Sequence, residues 1–413
     1  MTEAEIEDTI AAIATAAGPG GVGIVRLSGP RAIAIVARAV SLEPDQLDRR
    51  VRLCWVRDDA GARIDQVLAV AMRKPASFTG EDVAELHGHG GTHNLGKLLA
   101  TVVALGARIA EPGEFTRRAV ENGKLDLLRA EALLEVIHAG SERAWRLAQS
   151  NLRGQLGQQV EALERRAHQV LAEIEGSIDF PEADLDTQSA EWVAGELAAL
   201  HASCAGLAEG FRHGRAISRG VTAALVGPVN VGKSSLLNAL VETERALVAP
   251  DPGTTRDWLE VSSVWHGVAV TLIDTAGLRA TSDPIERRGI ELGEQRVASA
   301  DVVVVVNDGA APWETGERYG RRAVVVRSKA DLGGDARGAL ATSATTGHGV
   351  PELRLRILEV AGVADREGSE HASVTTERQQ ASASRKHRAV GHARRFDVAR
   401  DERSGLAAQC LRG

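Results

Sequence analysis

Cysteine is scarce in this chain. Cys54, Cys204 and Cys410 are the only three in 413 residues, and they lie too far apart for a zinc-ligand spacing or a disulfide framework. That excludes the small stapled folds of secreted proteins and points to a reducing cytosol. Long apolar runs are lacking too, as is a secretory leader, so export and membrane insertion are not expected and a cytoplasmic location is. Nor is there an excess of positive charge: 49 Lys and Arg against 56 Asp and Glu give a formal net charge of −7. Wholesale electrostatic binding of nucleic acid is thereby excluded, and any RNA contact is left to a local basic surface. At 413 residues the chain is expected to hold two or three domains, each burying its own core.

What is present is a phosphate-binding loop. "GPVNVGKSSL", Gly227 to Leu236, has the spacing G-x-x-x-x-G-K-S. The preceding "VTAALVG" reads as a buried strand and the following "KSSLLNALV" as an amphipathic helix, which is the context such a loop requires. Gly227 and Gly232 let backbone N–H groups converge on phosphate oxygens, and the helix N-terminus adds a favourable dipole. Lys233 would reach the β- and γ-phosphates and Ser234 would ligate Mg²⁺, with Asn230, Val231 and Ser235 in the same nucleotide-binding turn.

Further motifs follow in the order a GTPase needs. "APDPGTTRD" brings Ala249, Pro250, Asp251, Pro252, Gly253, Thr254 and Thr255, with Thr255 to complete the Mg²⁺ shell. "VTLIDTAG" is an apolar strand carrying Asp274 toward the metal, and Thr275, Ala276 and Gly277 toward the γ-phosphate. "VVVRSKAD" ends a buried strand at Ser328, Lys329, Ala330 and Asp331, where guanine would be read. "TSATTG" around Ser343, Ala344 and Thr345 would close over the base. Strands alternating with helices imply a doubly wound, parallel sheet with ligands at the strand C-termini. Two departures stand out. Ser328 occupies the place of an Asn and is expected to be too short for the Asn bridge, a loss of about 1 kcal/mol. Leu278 stands where Ras-like enzymes carry a water-orienting Gln, and leucine cannot orient water.

Three compositions divide the chain. Residues 1–116 mix short strands with glycine turns, as in "GGVGIVRLSG", "VLAVAMRKP" and "SFTGEDVAELHGHGG", and read as an α+β domain. Residues 117–216 are helical, interrupted by the acidic connector "DFPEADLD", and 363–413 are helical again. The nucleotide domain at 217–362 is thus inserted in a helical one. His87, His89 and His93 have no acidic or Cys partner at a convincing metal-ligand spacing, so "HGHGG" is read as a turn rather than as part of a zinc site.

On "GGVGIVRLSG", "SFTGEDVAELHGHGG", "EPGEFTRRAVENGKLDLLRAEALLEVIHA", "IDFPEADLD", "GPVNVGKSSLLNAL", "DPGTTRD", "DTAGLR", "IERRGIE" and "TTERQ", the chain resembles the MnmE (TrmE) family of tRNA modification GTPases, over nearly everything to about Gln380. The resemblance implies a multidomain α/β and α fold: an N-terminal α+β folate-binding domain, a helical domain and an inserted Ras-like P-loop GTPase domain. It implies K⁺-stimulated GTP hydrolysis coupled, with the flavoprotein MnmG (GidA), to addition of a carboxymethylaminomethyl-type group at the 5-position of the wobble uridine of certain tRNAs. In place of the missing Gln it implies Glu286 as the residue that orients water. In place of an arginine finger it implies K⁺ held by Asn230, Ala249, Asp251 and Thr254. It further implies a one-carbon tetrahydrofolate (5-formyl or 5,10-methylene type) contacted by Arg26, Glu85 and Lys124, in a pocket built by homodimerisation through the N-terminal domain. The end of the chain departs from the family: "GLAAQCLRG" lacks the Gly-Lys that follows its Cys, and Cys410 is given no catalytic role. Two alternatives stand beside this reading, a GTP-switched ribosome or RNA-binding factor, and a GTPase-only chain impaired in modification by a short tail.

Overall fold

The computed structural model describes the chain apart from residues 1–7, 59–60, 180–189, 242–259, 275–292, 310–312, 364–374 and 377–413. It divides into two compact units, Met1–Glu131 and Ala132–Gly413.

In the first unit short alternating stretches become the strands β1 (Ile10–Ile13), β2 (Gly23–Ser28), β3 (Arg52–Arg57), β4 (Arg63–Met72), β5 (Val83–Gly88) and β6 (Arg108–Ile109). They form one sheet in the order β3-β4-β5-β2-β1-β6, antiparallel except where β1 runs parallel to β6. Along β4 the side chains of Asp65, Val67, Ala69 and Ala71 are buried in alternation, so the strand has a covered face and an open one. The covered face packs on helices α1 (Ala32–Ala39) and α2 (Thr92–Ala104) through Ile33, Val36, Leu98 and Val102. The stretch expected as a turn, "HGHGG", is irregular only from His89 to Gly91. His87 and Gly88 belong to β5 because they pair with Ile24 and Gly23 of β2.

The helix α3 (Glu114–Glu121) meets the sheet through charge. The buried Arg118 guanidinium donates to the carboxylates of Asp8, Glu81 and Glu114, and Arg108 reaches the same Glu114 at 2.7 Å. The Ser28 hydroxyl donates to Glu81 at 2.6 Å. Burial alone would favour protonated Glu114, but Arg108, the Glu111 N–H and Arg118 outweigh it and hold its pKa at about 2.

The second unit begins in α4 (Leu127–His138) and continues through α5 (Glu142–Leu152), α6 (Gln155–Asp179) and α7 (Ala190–Arg219). Ser141 caps α5 by accepting from Ala144 N. The pair α6–α7 is tied by Val170, Val193, Leu197 and Leu200, and by Arg166 donating to Glu196 at 2.7 Å. The helix α7 enters β7 (Val221–Val226) through Gly220 alone, at φ +78°, where a Cβ would come within 2.7 Å of the Ala269 carbonyl.

The sheet that follows adds β8 (Glu260–Trp265), β9 (Val268–Asp274), β10 (Val302–Asn307), β11 (Ala323–Arg327) and β12 (Leu340–Ala341), in the order β12-β11-β10-β7-β9-β8. All its pairings are parallel except β8 with β9, as expected for a doubly wound sheet. Every residue of β10 is buried. The helices α8 (Lys233–Val241) and α9 (Val350–Val360) share one core with β7, β9 and β10, and Arg354 of α9 donates to the Ala239 and Leu240 carbonyls that end α8. Ala144 and Leu147 of α5 and Ala216 and Ile217 of α7 belong to the same core, so the helical layer and the parallel sheet of this unit are packed continuously.

Candidate functional site

The C-terminal ends of β7, β9, β10 and β11 meet along one rim of the parallel sheet. The chain leaves β7 at Gly227, φ +145°, where a Cβ would lie 2.3 Å from the Val306 carbonyl of β10; only glycine lets the loop turn so close to the neighbouring strand. Asn230 and Gly232 also take positive φ, at +63° and +96°. The loop then delivers Lys233 to the start of α8, with its Nζ donating to the Gly227 carbonyl at 2.8 Å and the Pro228 carbonyl at 2.7 Å. Burial lowers the Lys233 pKa, with the charge of Asp274 pulling the other way. One residue on, the Ser234 hydroxyl donates to the buried Asp274 carboxylate at 2.7 Å, while Ser235 is exposed on the first turn.

The base-reading segment begins where β11 stops. Ser328 is buried; its N–H donates to the Asn307 carbonyl at 2.7 Å and its hydroxyl to the Val231 carbonyl at 2.6 Å. The serine that stands in place of an Asn thus bonds the phosphate loop directly. A Cβ on Gly232 would lie 3.9 Å from the Ser328 side chain. Lys329, at φ +55°, extends its Nζ to the Asn230 carbonyl at 2.9 Å and to Asp308 at 3.1 Å. Ala330 N donates to the Thr342 carbonyl, and Asp331 in the following turn accepts from the Ser343 hydroxyl at 2.6 Å. Ala344 and Thr345 continue the turn from Ser343, which Ser343 Oγ closes by accepting from Thr346 N at 3.3 Å.

Asn230 to Ser234, Asp274, Ser328, Lys329, Asp331 and Ser343 are thus joined by direct hydrogen bonds or chain continuity along one sheet edge. The positions from Ala249 to Thr255, Thr275 to Gly277, Glu286 and Cys410 lie outside the described residues. Sequence reasoning missed three side chains here. Asn307 clamps Glu314 through both ends of its amide, at 2.9 and 3.1 Å. Asp308 holds Lys329, and Arg327 binds the two glycine carbonyls that follow the base-reading turn. The signal available was position: Asn307 and Arg327 close valine strands and Asp308 follows one, places where a polar side chain is unexpected unless it is used.

The array suits a nucleoside triphosphate with Mg²⁺. It offers a buried lysine whose present partners are neutral carbonyls, a positive-φ loop at a helix N-terminus, and a hydroxyl beside a buried carboxylate. All of these are oxygen or cationic groups of the kind phosphate and a hard divalent cation require.

On the open face of the first unit's sheet, Arg26 and Glu85 are cross-strand partners, with Arg26 Nε donating to Glu85 at 2.7 Å. His87 contacts the other oxygen of Glu85, also at 2.7 Å. Burial works against the ionised Glu85, but His87 and Arg26 prevail and its pKa is lowered. Arg26 lies 5.9 Å from the Phe78 ring, and Lys124 donates to the Pro75 carbonyl at 3.1 Å, so both cations border the segment from Pro75 to Gly80. His89 is directed elsewhere, to Asp65 at 2.6 Å.

Comparison with known proteins agrees in extent with this architecture. Residues 9–124 match the family described as the N-terminus of the GTP-binding protein TrmE, and residues 127–412 match the MnmE helical domain. A tRNA modification GTPase MnmE of Symbiobacterium thermophilum is 43% identical over 390 residues, covering 87% of this chain and 84% of that protein. The protein of the same name from Geobacter sulfurreducens is 42% identical over 336 residues, covering 79% and 74%. Among solved structures, the G domain of the T. maritima FeoB iron transporter is 29% identical, covering 34% of this chain and 98% of that one, with a TM-score of 0.27.

Proposed function

We propose, because the chain belongs to the MnmE (TrmE) family of tRNA modification GTPases, that it hydrolyses GTP and couples hydrolysis to modification of the wobble uridine in tRNA. The observation that carries the reading is the rim where Lys233, Ser234, Asp274, Ser328 and Asp331 are held together by strand ends. Lys233 exchanges its two carbonyl partners for β- and γ-phosphate oxygens. Asp331, fixed by Ser343, accepts from the N1–H and exocyclic amine of guanine, and Lys329 lies along the base. Ser234 and Thr255 are the residues to hold Mg²⁺, with Asp274 behind them. Asn230, Ala249, Asp251 and Thr254 are those to hold K⁺. The two cations held there would supply positive charge to the phosphoryl group in transfer. Glu286 orients the attacking water.

In the first unit Arg26, Glu85 and Lys124 contact a one-carbon tetrahydrofolate. A carboxylate held between two donors, close to a phenyl ring, suits the guanidine-like edge of a pterin. A second copy of the chain completes that pocket, and the open sheet face supports this with Leu53 and Leu68, which are 65% and 41% exposed beside Trp55. The flavoprotein MnmG is the partner in adding the carboxymethylaminomethyl-type group, and the location is the cytoplasm. No helix of the described residues is long and apolar enough to cross a membrane.

The deciding measurement is mass spectrometry of wobble nucleosides from a strain lacking this chain, with and without its restoration. Restored modification, lost again in Lys233→Ala, is expected. GTP turnover in K⁺ equal to that in Na⁺ would remove the potassium role, and wild-type turnover in Glu286→Ala would remove the glutamate's.

A further inference from the structure

Arg327 ends β11 with its side chain turned inward, 6% exposed. Its guanidinium donates through Nη1 to the Gly334 carbonyl and through Nη2 to the Gly333 carbonyl. Among the described residues it meets no carboxylate, and its buried Nε has no hydrogen-bond partner. A guanidinium buried against neutral carbonyls alone is costly to desolvate, so a fold that keeps one there gains something other than net stability.

What it gains lies on either side. Gly333 and Gly334 follow the turn Ala330–Leu332 that carries Asp331. Both glycines take positive φ, and a Cβ on Gly334 would stand 2.4 Å from Arg327 Nη2, so the segment is shaped around the guanidinium. The backbone carbonyl of the same residue accepts from Thr342 N at 2.7 Å and from Thr342 Oγ1 at 3.1 Å. Thr342 precedes Ser343, the residue that holds the Asp331 carboxylate, and its own carbonyl accepts from Ala330 N. The side chain thus fixes the segment leaving Asp331, and the backbone fixes the segment carrying the partner of Asp331.

The geometry points to Arg327 as a positioning residue for base recognition: it sets the carboxylate of Asp331 in the one place from which guanine, rather than a base lacking the 2-amino group, is preferred. This rests on the reading of Asp331 as the guanine acceptor. A planar fork bridges two adjacent carbonyls in a way a lysine ammonium cannot, so Lys is not a conservative replacement here.

The test is the affinity ratio of GDP to inosine diphosphate, which lacks the 2-amino group, measured by calorimetry on the full chain with Mg²⁺. A hydrogen bond to a carboxylate gives the wild type a ratio of about tenfold or more in favour of GDP. Arg327→Gln is expected to bring that ratio down to about threefold or less, with GDP itself bound about tenfold more weakly. Gly334→Ala, which pushes the guanidinium off its seat while keeping the charge, is expected to lower the ratio in the same direction, and Arg327→Lys to fall between. Where Arg327→Gln does not fold, the other two variants decide. A lowered Tm with the ratio intact in the folded variants would overturn the proposal, because a merely structural arginine lowers stability without touching base choice. A wild type that does not prefer GDP to inosine diphosphate or ADP removes the reading of Asp331, and this proposal with it.

Discussion

Each unit is built on a six-stranded sheet, and the two sheets keep their polar groups in different places. The parallel sheet is apolar at its centre: β10 is valine from Val302 to Val306, buried at every position, and polar side chains begin at Asn307 where the strand ends. The antiparallel sheet carries polar chemistry on its faces and flank. Arg26, Glu85 and His87 stand mid-strand on the open face, and Arg118, Glu114, Glu81 and Asp8 are locked together beside it. The cause is topological. Helices on both sides of a parallel sheet leave only its rim for function, whereas an antiparallel sheet covered on one side has a whole surface to use.

If charge holds the first unit together, breaking the charge network should be the largest perturbation. Arg118→Met leaves Glu114 and Glu81 with fewer donors, and is expected to cost about 4 kcal/mol in the urea unfolding of this unit. Trp55, its sole tryptophan, reports on the transition, with GDP affinity as the control. A cost under about 1 kcal/mol would mean the network is dispensable and the contrast between the sheets is superficial.

Acid should act on the same place. Glu114 has a folded-state pKa of about 2, below its ordinary 4.5, so the ionised form is the one the fold stabilises, by about 3 kcal/mol. That contribution is whole above about pH 4.5 and is lost as the pH falls toward 2. Trp55 fluorescence should therefore show the first unit losing stability through that window. Glu114→Gln should flatten the dependence.

The parallel sheet should answer the opposite challenge. Val304→Thr keeps the shape and adds a hydroxyl inside a fully buried apolar cluster, and is expected to cost about 2 kcal/mol at any pH. Calorimetric unfolding of the second unit, with and without GDP, measures it. Smallest is the rim itself: Ser328→Ala removes the bond to Val231 and should weaken GDP binding by about 1 kcal/mol, read by equilibrium titration. No loss would show that the phosphate loop holds its place without the serine.

The same contrast explains what the sequence made legible. The strand, loop and helix around Gly227 to Ser234 are contiguous, so spacing and flanking periodicity suffice to read them. Arg26 and Glu85 are neighbours only after β2 pairs with β5, and no local pattern joins two residues 59 positions apart; they were named through family resemblance. Ser328 shows the same limit. Its sequence gives only the length of its side chain, while its bond depends on where Val231 lies, a tertiary fact. Arg118 and Arg327 were invisible as individuals because an arginine on a helix or at a strand end is ordinarily a solvated charge, and only packing reveals that these two are buried.

One joint gives the second unit a mechanical character. α7 runs for 30 residues, about 45 Å at the usual rise; it passes into the central strand β7 through the single residue Gly220 and packs only its last turn, at Ala216 and Ile217, into the core of the sheet. Such a rod is a pointer with its pivot at the nucleotide sheet. A tilt of about 5° at the root sweeps its tip through a distance on the order of 4 Å, the width of a side chain. Rearrangements around a phosphate too small to matter locally would thus be magnified at the remote end of the helix, where Val193, Leu197 and Glu196 would carry α6 along with it.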